Sequence, residues 1–305
     1  MKKLKKSSES KIANRLIVII GPTSAGKSAL AVSLAKKFNG EVISADSRQV
    51  YKGMNLGTGK ITPQEQQGVK HYLLDVVSPK KQFTVIDFVR LAEKAIKEIR
   101  KKGKIPIICG GTGFYIDALL YDLPKTVAPD WSLRKKLEKL SNEQLFKKLK
   151  KLDPKRAQTI DQHNKRRLIR ALEIVLKTGQ PVPPLKRKLK YVVLKIGIKR
   201  SKKELRKRIH ERLLTRLKKG MVEEVAKLHY QGVSWQRLDS FGLEYRFISR
   251  YLRGLIKKEE MIKQLETAIN QYARRQMTWF KRDKGIHWIT NKKAAERLVK
   301  NFLKN

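Results

Sequence analysis

One eight-residue loop near the N-terminus constrains the fold of this chain more than any other feature. Residues 21–28 match G-x-x-x-x-G-K-[ST], the pattern of a loop that cradles a di- or triphosphate. An apolar run at 16–20 predicts a buried strand before the loop, and residues 29–37 predict a helix after it. In that order, free backbone N–H groups and the positive end of the helix face an anion, so we predict a phosphate-binding loop.

The residue types within this loop predict individual roles. Lys27 would pair with the outer phosphate, and the Ser28 hydroxyl would bind Mg²⁺. A chance match to the pattern, without a phosphate role, is the alternative interpretation. We predict that the whole loop contacts the phosphates: Gly21, Pro22, Thr23, Ser24, Ala25, Gly26, Lys27 and Ser28.

The chain is strongly basic. Its 305 residues include 72 Lys and Arg against 27 Asp and Glu, which gives a formal net charge of +45. Such a charge attracts polyanions and discourages self-association, so we expect a nucleic-acid partner and a monomer. A lysine-rich, solvated surface without a nucleic-acid role would have the same composition, and this alternative stays open.

The sequence also predicts a cellular compartment. With one cysteine, Cys109, the chain can form neither an internal disulfide nor a cysteine-based zinc site, which favours a reducing cytoplasm. No apolar run approaches the roughly 18 residues needed to span a bilayer. Residues 1–10 lack the apolar region of a secretory signal and are expected to be a short disordered basic tail. We therefore expect a cytoplasmic protein with no membrane contact.

Strand and helix signals alternate up to about residue 120. Further strands are predicted at 41–45, 71–77 and 105–109, and a helix with apolar residues at helical spacing is predicted at 84–102. Such alternation is typical of a parallel sheet covered by helices on both faces. The predicted fold class is α/β, a P-loop nucleoside-triphosphatase-like parallel sheet with flanking helices and an all-helical insertion domain.

The insertion is predicted from a change in composition. Residues 127–190 carry helix and turn signals, with 19 Lys and Arg against six Asp and Glu, and an apolar strand returns at 191–198. We therefore predict a catalytic core at 11–126 and 191–305 and a helical insertion at 127–190. The core would end in long helices at 201–219 and 263–282, the first opened by a capping box of Ser201 and Glu204.

Two segments follow predicted strands and so belong to the edge of the sheet where ligands bind. Asp46, after the second strand, could hold Mg²⁺ through water or accept a proton from a nucleophile. A turn or N-cap aspartate is an equally open interpretation. Residues 110–113, Gly-Gly-Thr-Gly, would let the backbone and the Thr112 hydroxyl approach a phosphate, or would form a tight turn that requires glycine.

Basic residues recur on the later helices. On 201–219, Arg208 and Arg212 lie one turn apart and could grip a diphosphate, although solvated arginines are the commoner case. Residues 161–170 place basic side chains at a helix start, which suits backbone phosphates. Residues 272–282 interleave basic and aromatic side chains, which suits single-stranded RNA; packing of one face into the core is the favoured alternative.

Several strings in a fixed order resemble the bacterial members of the tRNA isopentenyltransferase, or tRNA dimethylallyltransferase, family. The resemblance covers residues 15 to about 290, and only residues 241–246, Phe-Gly-Leu-Glu-Tyr-Arg, depart clearly from the family's usual string. The strings are the phosphate loop, Ile-Ser-Ala-Asp-Ser-Arg-Gln-Val-Tyr-Lys-Gly-Met at 43–54, Gly-Thr-Gly-Lys at 57–60, His-Tyr-Leu-Leu-Asp at 71–75, Gly-Gly-Thr-Gly-Phe-Tyr at 110–115, and Arg-Arg-Gln with Thr-Trp-Phe at 274–280.

The resemblance implies a reaction. The family transfers a dimethylallyl group from dimethylallyl diphosphate to the N6 amine of the adenosine 3′ of the anticodon, in tRNAs that read codons beginning with U, and it uses Mg²⁺. Asp46 would then be the general base, and Thr112 and Arg212 would hold the diphosphate with the phosphate loop. The insertion at 127–190 would embrace the anticodon stem-loop. The implied tRNA contacts are Asp46, Ser47, Arg48, Gln49, Thr112, Arg134, Lys165, Arg166, Arg167 and Arg170.

Three other functions are compatible with parts of the sequence. A P-loop small-molecule kinase would explain the phosphate loop and would consume ATP. An adenylate isopentenyltransferase acting on free AMP would need no basic insertion, so the charge of 127–190 argues against it. An RNA-binding protein with a vestigial loop would explain the charge but not the presence of Asp46, Thr112 and Arg212.

Overall fold

Six parallel strands form the sheet on which this protein is built. The computed structural model describes residues 14–121, 127–184 and 188–304. The strands lie in the order β3-β2-β4-β1-β5-β6, and each pair of neighbours is parallel. This arrangement confirms the predicted α/β class. In chain order the strands are β1 (Arg15–Ile20), β2 (Gly40–Ser44), β3 (His71–Tyr72), β4 (Ile105–Cys109), β5 (Val192–Ile198) and β6 (Ile286–Ile289).

Helices fill most of the remaining described chain. None of the helices described is long and apolar enough to cross a membrane. They are α1 (Lys27–Lys37), α2 (Pro63–Gln66), α3 (Val85–Lys101), α4 (Gly113–Leu120), α5 (Trp131–Glu138), α6 (Asn142–Leu152), α7 (Pro154–Thr159), α8 (Lys165–Thr178), α9 (Lys202–Lys218), α10 (Met221–Tyr230), α11 (Trp235–Phe241), α12 (Leu243–Leu252), α13 (Lys258–Phe280) and α14 (Lys292–Lys304).

The described residues divide into two units. Those up to Leu120 and from Leu189 onward form the larger unit, which contains the sheet, and those from Tyr121 to Lys188 form a helical unit. The insertion predicted from the sequence spans 127–190. The basic tail expected at 1–10 lies outside the described residues.

The core of the larger unit explains why its central strands read as continuous apolar runs. Every residue of β1 is buried, because strands inside a parallel sheet are covered on both faces. Leu34 of α1, Ile107 of β4 and Val299 of α14 belong to one hydrophobic cluster with β1 and β5. This packing fixes the strands whose ends carry the loops described below.

A second cluster in the larger unit joins the C-terminal helices to the segment after β2. Val50 and Met54 are fully buried against Leu213 of α9, Val225 of α10 and Leu265 of α13. Packing between these helices and the segment after β2 therefore holds that segment in place. It includes residues 46–49, which the resemblance assigns to substrate contact.

The helical unit has its own core. Leu145 and Leu149 of α6 and Leu168 and Leu172 of α8 are fully buried in one cluster. Because these pairs recur at four-residue spacing, each helix presents one apolar stripe to its neighbour, and most of its basic residues are exposed.

The strands of the structure differ from the predicted strands at two places. The strand expected at 71–77 is only the two residues of β3, followed by an isolated bridge between Val77 and Tyr51. Positive φ angles at Leu73 and Asp75 break the extended backbone there. Strand β6 has no counterpart among the predicted elements, because the only elements predicted after residue 198 are helices.

Candidate active site

Loops that follow three neighbouring strands, β1, β2 and β4, line a cleft of about 1230 Å³. Helices α9 and α13 of the same unit complete its walls. The cleft therefore lies at the carboxyl ends of the strands, where ligands bind in open α/β sheets. The lining residues with the most relevant chemistry are Thr23, Ser24, Lys27, Ser28, Asp46, Gln49, Lys60, Arg208, Arg212, Arg216, Tyr272 and Gln276.

The phosphate loop delivers backbone N–H groups to this cleft. Gly26 lies just before α1 with a φ of 96°, a left-handed conformation that glycine adopts without strain. No side chain caps α1, so the N–H groups of its first turn remain available to an anion. Of the eight loop residues predicted to bind phosphate, five line the cleft: Thr23, Ser24, Gly26, Lys27 and Ser28. The other three, Gly21, Pro22 and Ala25, are buried.

Lys27 is held where it can meet a phosphate. Its Nζ atom donates a hydrogen bond to the Pro22 carbonyl at 2.7 Å. Burial lowers the pKa of Lys27 to about 8, and the Arg212 guanidinium contributes in the same direction. The cleft thus holds an ammonium group that would gain from a bound polyanion.

Asp46 is a turn aspartate and also lies in the cleft. One carboxylate oxygen accepts hydrogen bonds from the backbone N–H groups of Arg48, at 2.8 Å, and Gln49, at 3.4 Å. This is the turn aspartate that the sequence left open. Asp46 also lines the cleft, so its carboxylate remains positioned for chemistry.

Thr112 joins the loops after β2 and β4. Its hydroxyl oxygen accepts the Ser47 N–H at 3.1 Å, and its own N–H donates to the Ala45 carbonyl at 3.2 Å. Its neighbours Gly110 and Gly111 line the cleft, whereas Thr112 is not among the lining residues. The structure therefore places Thr112 beside the site, with its hydroxyl engaged in holding Ser47.

Helix α9 presents a row of arginines along the cleft. Arg208, Arg212 and Arg216 recur at four-residue spacing and all line it. One Arg212 nitrogen lies 3.5 Å from the Ser24 hydroxyl of the phosphate loop. Burial, together with the charge of Arg216, lowers the pKa of Arg212 to about 10. The sequence left a phosphate role and a plain surface position open for Arg208 and Arg212. Both lie in the cleft, and the phosphate role stays a prediction.

Glu224 is a structural determinant of the site that sequence reasoning missed. Its carboxylate accepts three successive backbone N–H groups, from Asn55 at 2.8 Å, Leu56 at 2.7 Å and Gly57 at 3.0 Å. The Tyr245 hydroxyl donates to the same carboxylate at 2.8 Å. No local signal marks Glu224, because its partners lie about 170 residues earlier in the chain.

The segment 241–246, which departs from the family string, also supports the site. Glu244 is buried and pairs with Arg216 at 3.0 Å. Burial raises the pKa of the Glu244 carboxyl, and Arg216 opposes that shift. Glu244 therefore offsets part of the positive charge of the arginine row. Tyr245 supports residues 55–57 by donating to Glu224, which accepts their N–H groups.

Two residues expected to touch tRNA have well-defined contacts within the larger unit. Arg48 donates to the Phe241 carbonyl at 2.9 Å, and its guanidinium lies 5.6 Å from the centre of the Phe241 ring. Gln49 accepts from the Ser44 hydroxyl at 3.0 Å and donates to the Gly59 carbonyl at 3.3 Å.

In the helical unit, the predicted tRNA contacts separate into two groups. Arg134 and Arg170 both pair with Glu173, which is fully buried, and Arg134 does so with two nitrogens at 2.8 and 2.7 Å. The charges of both arginines are therefore engaged in ion pairs within the helical unit. Lys165, Arg166 and Arg167 begin α8, and the last two are exposed.

The donor set of the cleft suits a magnesium ion carried largely by its substrate. Ser28 is exposed at the cleft, and Asp46 lines the same space. Across the described residues, no group of three His, Cys, Asp or Glu side chains could hold a metal ion. Mg²⁺ usually takes one or two protein ligands and completes its shell with phosphates and water, so the residues present fit it.

Similarities to known proteins cover nearly the whole chain. A family model described as IPP transferase matches residues 49–283. A curated tRNA dimethylallyltransferase of Acetivibrio thermocellus is 42% identical over 301 residues, which cover 95% of this chain and 96% of that protein.

Solved structures show the same relationship. The structure of a tRNA isopentenylpyrophosphate transferase from Bacillus halodurans superimposes with a TM-score of 0.73 at 35% identity, over 95% of this chain and 97% of its own. A eukaryotic dimethylallyltransferase solved acting on tRNA superimposes with a TM-score of 0.79 at 29% identity, over 91% of this chain and 74% of its own.

Proposed function

Because the chain belongs to the IPP transferase family, we propose that it transfers a dimethylallyl group from dimethylallyl diphosphate to tRNA. The acceptor is the N6 amine of the adenosine 3′ of the anticodon, in tRNAs that read codons beginning with U. The products are N6-isopentenyladenosine and diphosphate. In this reaction the bond from the allylic carbon to oxygen breaks, the bond from carbon to N6 forms, and N6 loses one proton.

The observation that carries this proposal is the convergence of cations and one carboxylate in a single cleft. Lys27 and Arg212 line it together with Asp46, on loops from different strands and a helix. The first two residues bind the diphosphate and neutralise the charge that grows on it as the allylic bond breaks. Because these groups are fixed before the substrate arrives, little reorganisation is needed at the moment of reaction.

Asp46 accepts the proton from N6. An aromatic amine is a weak nucleophile, and a carboxylate aimed at its proton assists the attack. The two backbone N–H groups that bind one oxygen of Asp46 fix the orientation of the carboxylate. Thr112 contributes indirectly by holding Ser47, the first residue of this turn.

Mg²⁺ is the proposed cofactor, and Ser28 would hold it beside the substrate phosphates. When bound, the ion supplies further neutralisation of the leaving diphosphate. Ser24 and the free N–H groups at the start of α1 orient the same phosphates from the protein side.

The tRNA contacts are proposed for two surfaces. Residues 46–49 contact the target adenosine, because they form the turn that carries Asp46. Residues 165–167 contact backbone phosphates of the anticodon stem-loop from the helical insertion. Extruding one base from a loop costs less than extruding it from a duplex, which favours this acceptor. We expect the enzyme to work as a cytoplasmic monomer, since its charge of +45 opposes self-association.

A single-turnover transfer assay tests this function. Labelled dimethylallyl diphosphate is offered with an unmodified anticodon stem-loop, with the same RNA carrying purine riboside in place of the target adenosine, or with free AMP. We expect label only in the first RNA, because purine riboside lacks the N6 amine. Label in AMP would instead support an adenylate isopentenyltransferase, and ATP consumption without labelled RNA would support a kinase.

A further inference from the structure

Two side chains of helix α13 contact glycines in the loop after β4. Gln276 hydrogen-bonds to the Gly111 carbonyl at 2.9 Å. A Cβ on Gly111 would overlap the Gln276 amide, and a Cβ on Gly113 would overlap the Trp279 ring, so glycine at both positions permits this close approach. Tyr272, one turn earlier on α13, lines the same cleft. Two glycines of the loop thus meet side chains that lie one turn apart on the helix.

Gln276 also contacts the phosphate loop. Its side-chain oxygen accepts the Thr23 N–H at 2.8 Å, while its side-chain nitrogen donates to Gly111. The two partners fix the orientation of the amide, because one is a donor and the other an acceptor. Gln276 is 6% exposed and lines the cleft. A single side chain therefore connects the loops after β1 and β4.

The loop that Gln276 holds lies close to the Lys27 ammonium in the cleft. A Cβ at Gly111 would lie 3.7 Å from the Lys27 ammonium, so the loop held by Gln276 passes beside that cation. Moving the two loops apart would change the distance between the Lys27 ammonium and Gly111, which lines the same cleft. The arrangement that binds the diphosphate thus depends on a residue that itself carries no charge.

We propose that Gln276 is a positioning residue that holds the phosphate loop and the loop 110–113 at the spacing required to bind the diphosphate. The inference rests on the proposed function only in identifying the diphosphate as the ligand. It assigns to Gln276 an effect on diphosphate affinity and on the KM for dimethylallyl diphosphate, and no effect on the KM for RNA.

Three variants test this role. Gln276→Met keeps the length and apolar volume of the side chain but removes both hydrogen bonds. Gln276→Glu keeps an acceptor for Thr23, loses the donor to Gly111 and adds a negative charge beside the phosphates. Gln264→Met is the matched control, because Gln264 lies on the same helix and donates to Glu260 on the exposed side.

The readouts are the dissociation constant of inorganic diphosphate with Mg²⁺, by calorimetry, and the two KM values. We expect Gln276→Met to raise the dissociation constant and the KM for dimethylallyl diphosphate about tenfold, the size expected from loss of a buried hydrogen bond. Gln276→Glu should raise both further. The KM for RNA should stay within about twofold of wild type in each variant, and Gln264→Met should change none of the three.

Two results would overturn the proposal. The first is an unchanged diphosphate dissociation constant in both Gln276 variants that remain folded by circular dichroism. The second is an equal rise in both KM values, which would indicate a general loss of structure. If the wild-type protein binds diphosphate but labels no RNA, and Gln276→Met weakens that binding, the proposed transferase function fails while the positioning role stands.

Discussion

Asp46 combines a structural and a chemical task in one side chain, and substitution can separate them. Asparagine retains an oxygen that can accept the N–H groups of Arg48 and Gln49 but cannot accept a proton. We expect Asp46→Asn to lower the single-turnover transfer rate by roughly 10²–10⁴ with an unchanged melting temperature. Asp46→Ala should lower the same rate and also the melting temperature. Near-normal transfer by Asp46→Asn would show that this carboxylate is not the base.

Lys27 gives the diphosphate affinity a pH dependence with a definite sign. Its pKa of about 8 in the free protein means that its ammonium loses a proton as the pH rises through 8. A bound diphosphate favours the protonated form, so the affinity is full below that pH and falls above it, by up to about tenfold per pH unit. Arginine stays charged across this range and supplies the comparison.

Calorimetry with inorganic diphosphate between about pH 7 and 9.5 measures this effect in the wild-type protein and in Lys27→Arg. The ligand's own titration is common to both proteins, so the ratio of their affinities isolates Lys27. A ratio that does not change with pH would contradict the assignment.

Single residues differ in how readily sequence reveals them. The motif alone predicts Lys27, because a phosphate loop has a fixed local pattern. Arg212 needed the resemblance, since an arginine on a helix is usually surface. The contacts of Glu224 and Gln276 could not be predicted, because they are made to backbone groups about 165 to 253 residues away in sequence. Nearly every residue has the same backbone N–H and C=O groups, so the sequence does not show which of them accepts or donates such a hydrogen bond.

At the scale of elements, helices α5 and α8 of the insertion are joined by one buried carboxylate. Glu173 is fully buried and pairs with Arg134 and Arg170. Its replacement by glutamine removes the carboxylate that the two guanidiniums share, which should destabilise the insertion by about 3 kcal/mol. Hydrogen exchange followed by mass spectrometry should show faster exchange in peptides from α5 and α8, and unchanged exchange in β1 and β4.

Glu143→Gln, on the exposed side of α6, is the control for that experiment, because it makes the same chemical change on the same unit. Its exchange should match the wild-type protein. Equal protection in Glu173→Gln would show that the arginines do not depend on this carboxylate. The diphosphate dissociation constant should be unchanged in both variants, since the cleft residues belong to the larger unit.

Helices were predicted correctly where the pattern of apolar residues was long and periodic. The helix predicted at 84–102 is α3, and the structure shows Thr84 as its N-cap. Prediction failed where the pattern was short or where a side chain formed a different ion pair from the contact expected. Strand β6 has only four residues, too few for an alternation to be distinctive. At α9, Ser201 caps the helix as expected, but Glu204 pairs with Arg200 and Arg208 instead of closing the capping box.

At the scale of the whole molecule, two kinds of positive charge serve different ligands. The cations of the cleft are partly buried and held in place by contacts such as those of Arg212 with Ser24 and of Arg216 with Glu244. Buried pairs are screened little by salt. The remaining excess of Lys and Arg lies mostly on exposed helix faces, where charge acts over a distance set by ionic strength. Binding of diphosphate and binding of RNA should therefore respond differently to salt.

We expect the affinity for an anticodon stem-loop to fall roughly 10³-fold between about 50 and 200 mM KCl if about six phosphates are contacted, as measured by fluorescence anisotropy. Changing the three basic residues at 165–167 to glutamine should make the slope of log affinity against log salt shallower by about 2, because those contacts no longer release counterions. The same substitution at Lys293, Lys300 and Lys304, exposed on α14, removes an equal charge and should leave that slope unchanged. Equal losses of slope in the two triple variants would mean that net charge, and not the start of α8, determines RNA binding.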